Sequence, residues 1–150
     1  MNVTTYLGAV LLLGSITQGA SAANELTILS SDLIANAAKV EMAGNGNSLF
    51  LQQNHFGGLE SNTLEISIVG DRNGGPAGSL FADSMLASEL SPGTFVQSGF
   101  GNVMTIEING SENLIAAAQI GSGNVLTGFI QGEGNQAAIL QTGTGNIVGF

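Results

Sequence analysis

The side chains that recur at fixed spacing in this sequence are primary amides. Their chemistry is hydrogen bonding, since each carries two N–H donors and one carbonyl acceptor on a short arm. Asn102, Asn113, Asn124, Asn135 and Asn146 are each 11 residues apart, and Gly99, Gly110, Gly121, Gly132 and Gly143 keep the same step three residues ahead. Asn36 and Asn47 are also 11 apart, as are Asn62 and Asn73. Gln97, Gln119 and Gln141 are 22 apart, and Gln53 falls in the same phase two periods before Gln97. Stacked copies of such a unit would hold the glutamines in a ladder, each amide donating to the next.

Reactive groups show no comparable order. His55 is the only histidine and there is no cysteine, so a disulfide framework and a thiolate metal site are both excluded. His55 lies at an irregular junction and is read as a surface loop residue. Calcium-binding nonapeptide repeats need a nine-residue step and an Asp column, and this chain has neither. Gly-x-Gly strings such as GSGNVLTG (121–128) lack the Lys-Ser/Thr that follows in a phosphate loop, and read as turns. Glu60 and Glu65 sit at irregular phase and read as solvated charges rather than an acid–base pair. No catalytic, cofactor-binding or metal-ligating residue is assigned, and the chain is not expected to be an enzyme.

Eleven residues is also three turns of an α-helix. However, each unit carries one or two glycines, each costing about 1 kcal/mol in a helix interior. Within a unit the apolar residues sit at +2, +4 and +6 from the Asn, as in Leu64, Ile66, Ile68 and Met104, Ile106, Ile108, which is strand periodicity. In the units opening at Asn36, Asn47, Asn62, Ser91, Asn102, Asn113, Asn124 and Asn135, none of these positions is charged, whereas Lys39, Glu41, Glu65 and Glu107 have the opposite parity. Successive strand residues point to opposite faces, so one parity is inside and the other wet. The connections read Gly-x-x-Asn from Gly44, Gly70, Gly99, Gly110, Gly121, Gly132 and Gly143, residue types that make tight reversals.

The expected fold is all-β: a β-solenoid of strand-turn-strand rungs, 22 residues per rung and 11 per unit. The glutamines then lie on one sheet, with Ile108 and Ile130 on the facing one. Fixing 11 residues costs about 11–22 kcal/mol of backbone entropy, while three inward side chains return about 1.5–3 kcal/mol each. A lone unit therefore cannot fold, and stacking is obligatory. The regular repeats cover 36–73 and 91–150 of a repeat domain at 23–150, and 74–90 fits poorly. Before it, the apolar run Leu7–Ile16 and the small residues Ala20-Ser21-Ala22 read as a signal peptide at 1–22. The net charge is −9 with only Lys39 and Arg72 as bases, which excludes a nucleic-acid partner and a polybasic membrane patch.

The alternation in NQAAILQTGTGN (135–146), preceded by NLIAAAQIGSGN (113–124), resembles the curlin repeat. Curlins are the subunits of curli, the extracellular amyloid fibres of bacterial biofilms. The resemblance is good over 91–150, moderate over 36–73 and poor over 74–90. It implies a secreted fibre subunit, closer to the family's major subunit than to its nucleator, that polymerises with itself for adhesion and biofilm matrix. It also implies a nucleator subunit and an outer-membrane secretion channel as partners, with no small-molecule substrate and no cofactor. Its structural positions fall here on Asn36, Asn47, Asn62, Asn102, Asn113, Asn124, Asn135, Asn146, Gln53, Gln97, Gln119 and Gln141. Where curlins usually repeat the inward Gln on both strands, Met42, Ile68, Ile108 and Ile130 stand instead. The alternative is a discrete secreted β-solenoid adhesin or surface-binding module that stays monomeric. The run NIVGF (146–150), with no charged edge, is expected to present an open strand edge to a further copy.

Charges repeated along stacked strands repel and act as gatekeepers, a role suited to Glu65, Glu107 and Glu133. Residues 113–150 carry only Glu133, so a synthetic 132–146 peptide is expected to form fibres faster than a 58–73 peptide. A thioflavin time course of the two compares them, and the reverse order refutes this gatekeeper reading.

Overall fold

In the computed structural model the alternating units do become strands. The structure describes residues 2–6, 11–12, 16–17, 24–30, 36–75, 79–82 and 90–150. It contains β1 (Asn2–Tyr6), β2 (Leu11–Leu12), β3 (Ile16–Thr17), β4 (Glu25–Ser30), β5 (Asn36–Ala43), β6 (Ser48–His55) and β7 (Asn62–Val69). These are followed by β8 (Thr94–Phe100), β9 (Val103–Asn109), β10 (Leu114–Ser122), β11 (Val125–Gln131), β12 (Gln136–Thr144) and β13 (Ile147–Gly149). Even-numbered strands from β4 to β12, with β1, form sheet A in the order β1-β4-β6-β8-β10-β12. Sheet B runs β13-β11-β9-β7-β5-β2, with β3 also on β5. All pairings are parallel. Chain order therefore alternates between the sheets, and the molecule is a β-solenoid whose turns run from β4–β5 to β12–β13. The cleavage position expected after Ala22 lies outside the described residues.

The core lies between the sheets and is built by the inward parity. Leu26, Ile28, Leu49, Leu51 and Phe95 come from sheet A, and Val40, Met42, Leu64, Ile66 and Met104 from sheet B. Stacking is in register: Phe95 pairs with Ala117 and Ala117 with Ile139, one rung at each step. Met42, Ile68, Ile108 and Ile130 form one column of sheet B, facing the glutamine sheet as expected.

Glycine in the turns answers to two constraints at once. Gly110 (φ 144) and Gly121 (φ 122) adopt a conformation that L side chains rarely enter. A Cβ on Gly110 would lie 1.8 Å from the Gly132 carbonyl oxygen, and one on Gly121 would lie 2.0 Å from that of Gly143. The turns thus stack backbone on backbone, and no side chain fits between them. The third turn position is also left-handed, and Arg72 (φ 54) and Glu112 (φ 61) occupy it in two turns.

The irregular stretch is an insertion within one rung. Gly74 bridges both Ser48 and Leu114, so Asn73-Gly74 begins the rung that β8 completes. The Gly75 N–H donates to the Ser48 carbonyl at 3.2 Å, and the chain re-enters where the Gly93 N–H donates to the Ile115 carbonyl at 2.7 Å. This corrects the expected unit opening at Ser91: Asn73 opens that rung, because its amide rather than a serine hydroxyl continues the stack.

Two side-chain expectations also change. Ala116 and Ala118 have outward parity yet are buried, and they lie outside the core between the sheets. Phe81 of the insertion is buried as well. The Ala82 N–H donates to Gln136 Oε1 on β12 at 2.7 Å, which places this segment over the outer face of sheet A. His55 is the last residue of β6 and half-buried, not a loop residue, because it pairs in register with Gly99.

Gly121→Ala and Gly123→Ala separate the two constraints. Gly123 has φ 63 with nothing within 4 Å of an added Cβ, so its substitution is expected to cost about 1–2 kcal/mol of left-handed strain. Gly121→Ala must also push a neighbouring rung aside and is expected to cost more than about 3 kcal/mol. Urea unfolding of the two variants gives the order, and equal costs would refute the stacked-turn account.

Candidate functional site: the amide ladders

The recurring amides form three ladders along the stack. On one edge Asn24, Asn47, Asn73, Asn113 and Asn135 succeed one another: each Asn Oδ1 accepts both the backbone N–H and the Nδ2–H of the next. On the other edge Asn36, Asn62, Asn102, Asn124 and Asn146 follow the same order through side-chain bonds of 2.9–3.1 Å. From Asn102 onward the backbone N–H joins in as well. The second Nδ2–H of each interior Asn ties it to a turn glycine: Asn102 to the Gly121 carbonyl, Asn113 to Gly132, Asn124 to Gly143. Asn47 is tied to Gly70, Asn62 to Gly99 and Asn73 to Gly110 in the same way. One short amide therefore bonds the rungs on both sides of it and satisfies a glycine carbonyl in the neighbouring turn.

The glutamine ladder runs inside sheet A. Gln53 Nε2 donates to Gln97 Oε1 at 2.8 Å, Gln97 to Gln119 at 3.0 Å and Gln119 to Gln141 at 2.9 Å. The second N–H of each reaches across to sheet B, to the Ala37, Thr63, Val103 and Val125 carbonyls respectively. These amides are buried, so every bond replaces one with water, and a lost partner costs about 1–3 kcal/mol. Ser30 takes the corresponding place on β4, and Gln53 Oε1 is buried without a partner among the described residues. The ladder starts there.

All twelve amides expected from the spacing lie on these ladders; Gly44, Gly70, Gly110 and Gly132 lie in turns, while Gly99, Gly121 and Gly143 are the second-last residues of β8, β10 and β12, and all seven have positive φ. Two further amides, Asn24 and Asn73, belong to the ladders, the second of them 11 residues after Asn62. Asn24 stands one position further from Asn36 than the regular step allows, and Asn73 is parted from the rest of its strand by the insertion, although GDRN (70–73) carried the turn signature. The gatekeeper placement changes too. Glu65 stacks between Lys39 and Thr105, and Glu107 between Ser67 and Phe129 with Glu41 two rungs away, so no two like charges are adjacent in a column among the described strands.

Charge in the site is arranged in axial pairs. Lys39 Nζ donates to Glu65 Oε1 at 2.7 Å, one rung away, and Arg72 pairs with Glu112 across adjacent turns. The hydrogen bond that Lys39 donates to Glu65 and the charge of Glu41 hold Lys39 above its ordinary range, and the hydrogen bond to Glu112 does the same for Arg72. Among the described residues no group of three His, Cys, Asp or Glu side chains could hold a metal ion.

At the β12–β13 rung the pattern is cut open. Asn135 and Asn146 turn their Nδ2–H back to their own turn carbonyls, Gln131 and Thr142. Ala137, Ile139 and Val148 are only partly buried against the core. This rung presents the Asn acceptors, the Gln141 donor and an apolar strip with the spacing that each interior rung presents to its neighbour.

No protein-family model, curated protein or solved structure matches this chain.

Asn102→Ala removes the acceptor of two Asn124 donors and the donor to both Asn62 and Gly121, so it is expected to cost at least about 3 kcal/mol. Asn146→Ala, on an exposed rung, is expected to cost below about 1 kcal/mol. Equilibrium unfolding of freshly desalted monomer measures both, and similar costs would refute the ladder's role.

Proposed function

We propose that this chain is a secreted structural subunit that polymerises into an extracellular, curli-like amyloid fibre on the bacterial cell surface, serving adhesion and the biofilm matrix. The observation that carries the reading is the single polarity of all three ladders. Every rung offers Asn Oδ1 on both edges, and each rung from β6 onward also Gln Nε2, in one axial direction, and receives the same kind of atom from the other. A rung of a second copy stacked on β4–β5 therefore meets on both Asn ladders what a rung of the same chain meets, with Ser30 standing in the glutamine column. The strand edges of β12 and β13 add backbone donors and acceptors to that template.

The other end fits the same scheme. β1 stacks on β4, and β2 and β3 stack on β5, all within the proposed signal peptide. Its removal after Ala22 uncovers β4 and β5 as a receiving face. On this reading the chemistry is assembly, with self as the principal partner, and the resemblance adds a nucleator subunit and an outer-membrane channel.

Fibre diffraction of the purified protein lacking residues 1–22 tests this. A meridional repeat of about 4.7–4.8 Å is expected, and a monodisperse monomer over days refutes it in favour of the monomeric surface-binding module. With a net charge of −9 the copies repel, so the lag before assembly is expected to shorten between about 0.01 and 0.15 M salt as the screening length falls. A lag that lengthens with salt would contradict an assembly opposed by like charge.

A further inference from the structure

An asparagine followed by a glycine is chemically reactive, because the glycine backbone nitrogen can attack the asparagine Cγ and no glycine side chain hinders its approach. The chain has three such pairs, Asn45-Gly46, Asn73-Gly74 and Asn109-Gly110, and the stack treats them differently. Asn73 is fully buried, and its Nδ2 donates to Asn47 Oδ1 and to the Gly110 carbonyl. The Gly74 N–H donates to the Asn113 carbonyl at 2.9 Å. Asn109 is exposed at the end of β9, but the Gly110 N–H donates to the Val69 carbonyl at 2.9 Å. In both pairs the attacking nitrogen is held.

Asn45-Gly46 differs at both reacting atoms. At the third turn position on this edge, the Arg72, Glu112 and Gly134 N–H groups each donate to a carbonyl of the preceding turn, those of Asn45, Asp71 and Ser111. Gly46 holds that position in the first described turn of the edge, and its N–H makes no hydrogen bond among the described residues. The Asn45 amide is loosely placed: its Nδ2 lies 3.4 Å from Asp71 Oδ1, and its Oδ1 is buried without a partner. The Asn45 carbonyl belongs to the same peptide unit as the Gly46 nitrogen and accepts the Arg72 N–H at 2.8 Å. That bond polarises the unit in the direction that acidifies its free N–H.

We propose that Asn45 is a site of spontaneous deamidation, the one Asn-Gly pair of the three that the fold leaves open to it. The Gly46 nitrogen bonds to Asn45 Cγ, and its proton passes through solvent to Nδ2, which leaves as ammonia as the Cγ–Nδ2 bond breaks. Water then hydrolyses one of the two C–N bonds of the cyclic imide, giving aspartate or isoaspartate, with no change of oxidation state. The new carboxylate lies against Asp71, whose Oδ1 already accepts the Asn45 N–H at 2.8 Å. Two like charges become neighbours in the turn column, and the turn between β5 and β6 is loosened.

The test incubates the folded full chain in heavy-oxygen water at mildly alkaline pH and localises the label by peptide mapping and fragment mass spectrometry. Asn45 is expected to convert at least about tenfold faster than Asn73 or Asn109, the factor that one retained hydrogen bond supplies. In denaturing urea the three are expected to convert at similar rates. Equal rates in the folded chain, or Asn109 converting first, overturn the proposal. So does an Asn45 that stays intact while the urea-treated chain reacts. For the consequence, Asn45→Asp is expected to lower the urea midpoint and Asp71→Asn in the same chain to restore it; an unchanged midpoint overturns the charge account. These readouts need neither fibres nor secretion, so failure of the fibre reading leaves the test intact.

Discussion

A buried side-chain amide can be satisfied only by a group at the right height, and here the right height is one rung away. Asn47, Asn62, Asn73, Asn102, Asn113 and Asn124 are fully buried, and each finds its side-chain partner on the next rung. A slip of one residue would turn the apolar parity outward and leave these amides without partners, two penalties that reinforce each other. A slip of a whole rung, by contrast, restores the Asn bonds of both edges in kind. The register is thus fixed within a period and degenerate between periods, which is the condition under which one copy can continue another.

The hydrophobic interior follows the same column logic but uses volume rather than hydrogen bonds. Phe95 stacks on Ala117 in sheet A, a large residue against a small one. In sheet B, Gly128 stands at an inward position beside Ile106, and its missing side chain is replaced from the next rung. A Cβ on Gly128 would lie 2.2 Å from Phe150 Cζ, so the Phe150 ring fills the space. Interiors are close-packed, and a column of identical units tolerates an odd-sized residue only if its neighbour compensates. The same device holds the Phe100 ring over Gly58 in the longer turn at 56–61.

Most of this was legible because it is periodic. The 11-residue step, the parity of the charges and the 22-residue glutamine phase together specify two parallel sheets and the contents of their facing sides. What escaped was aperiodic. Asn73 belongs to a ladder through its place in space, while its strand resumes only at Thr94, beyond the insertion, so no spacing rule connects the two. Ala116 and Ala118 follow the outward parity and are buried all the same, on the face where the Ala82 N–H bonds Gln136. A pattern reports which face a side chain takes, and a tertiary contact decides whether that face meets water. Asn24 was missed for a smaller reason: the step from it to Asn36 is one position longer than the repeat.

The distribution of charge follows the stacking direction. Both cations of the chain are engaged along the stack, Lys39 on Glu65 and Arg72 on Glu112, each joining one rung to the next. Exposed pairs of this kind contribute little to stability, but they remove like-charge contacts from the axial direction. Among the described residues the remaining carboxylates lie on β4, in the turns and on sheet B, while the sheet A strands from β6 onward have none. In the in-register columns no two like charges are nearest neighbours: Ser67 stands between Glu41 and Glu107, and Lys39 lies against Glu65. Coulomb repulsion falls with distance, so the charge pattern does not oppose the stacking of one rung on the next.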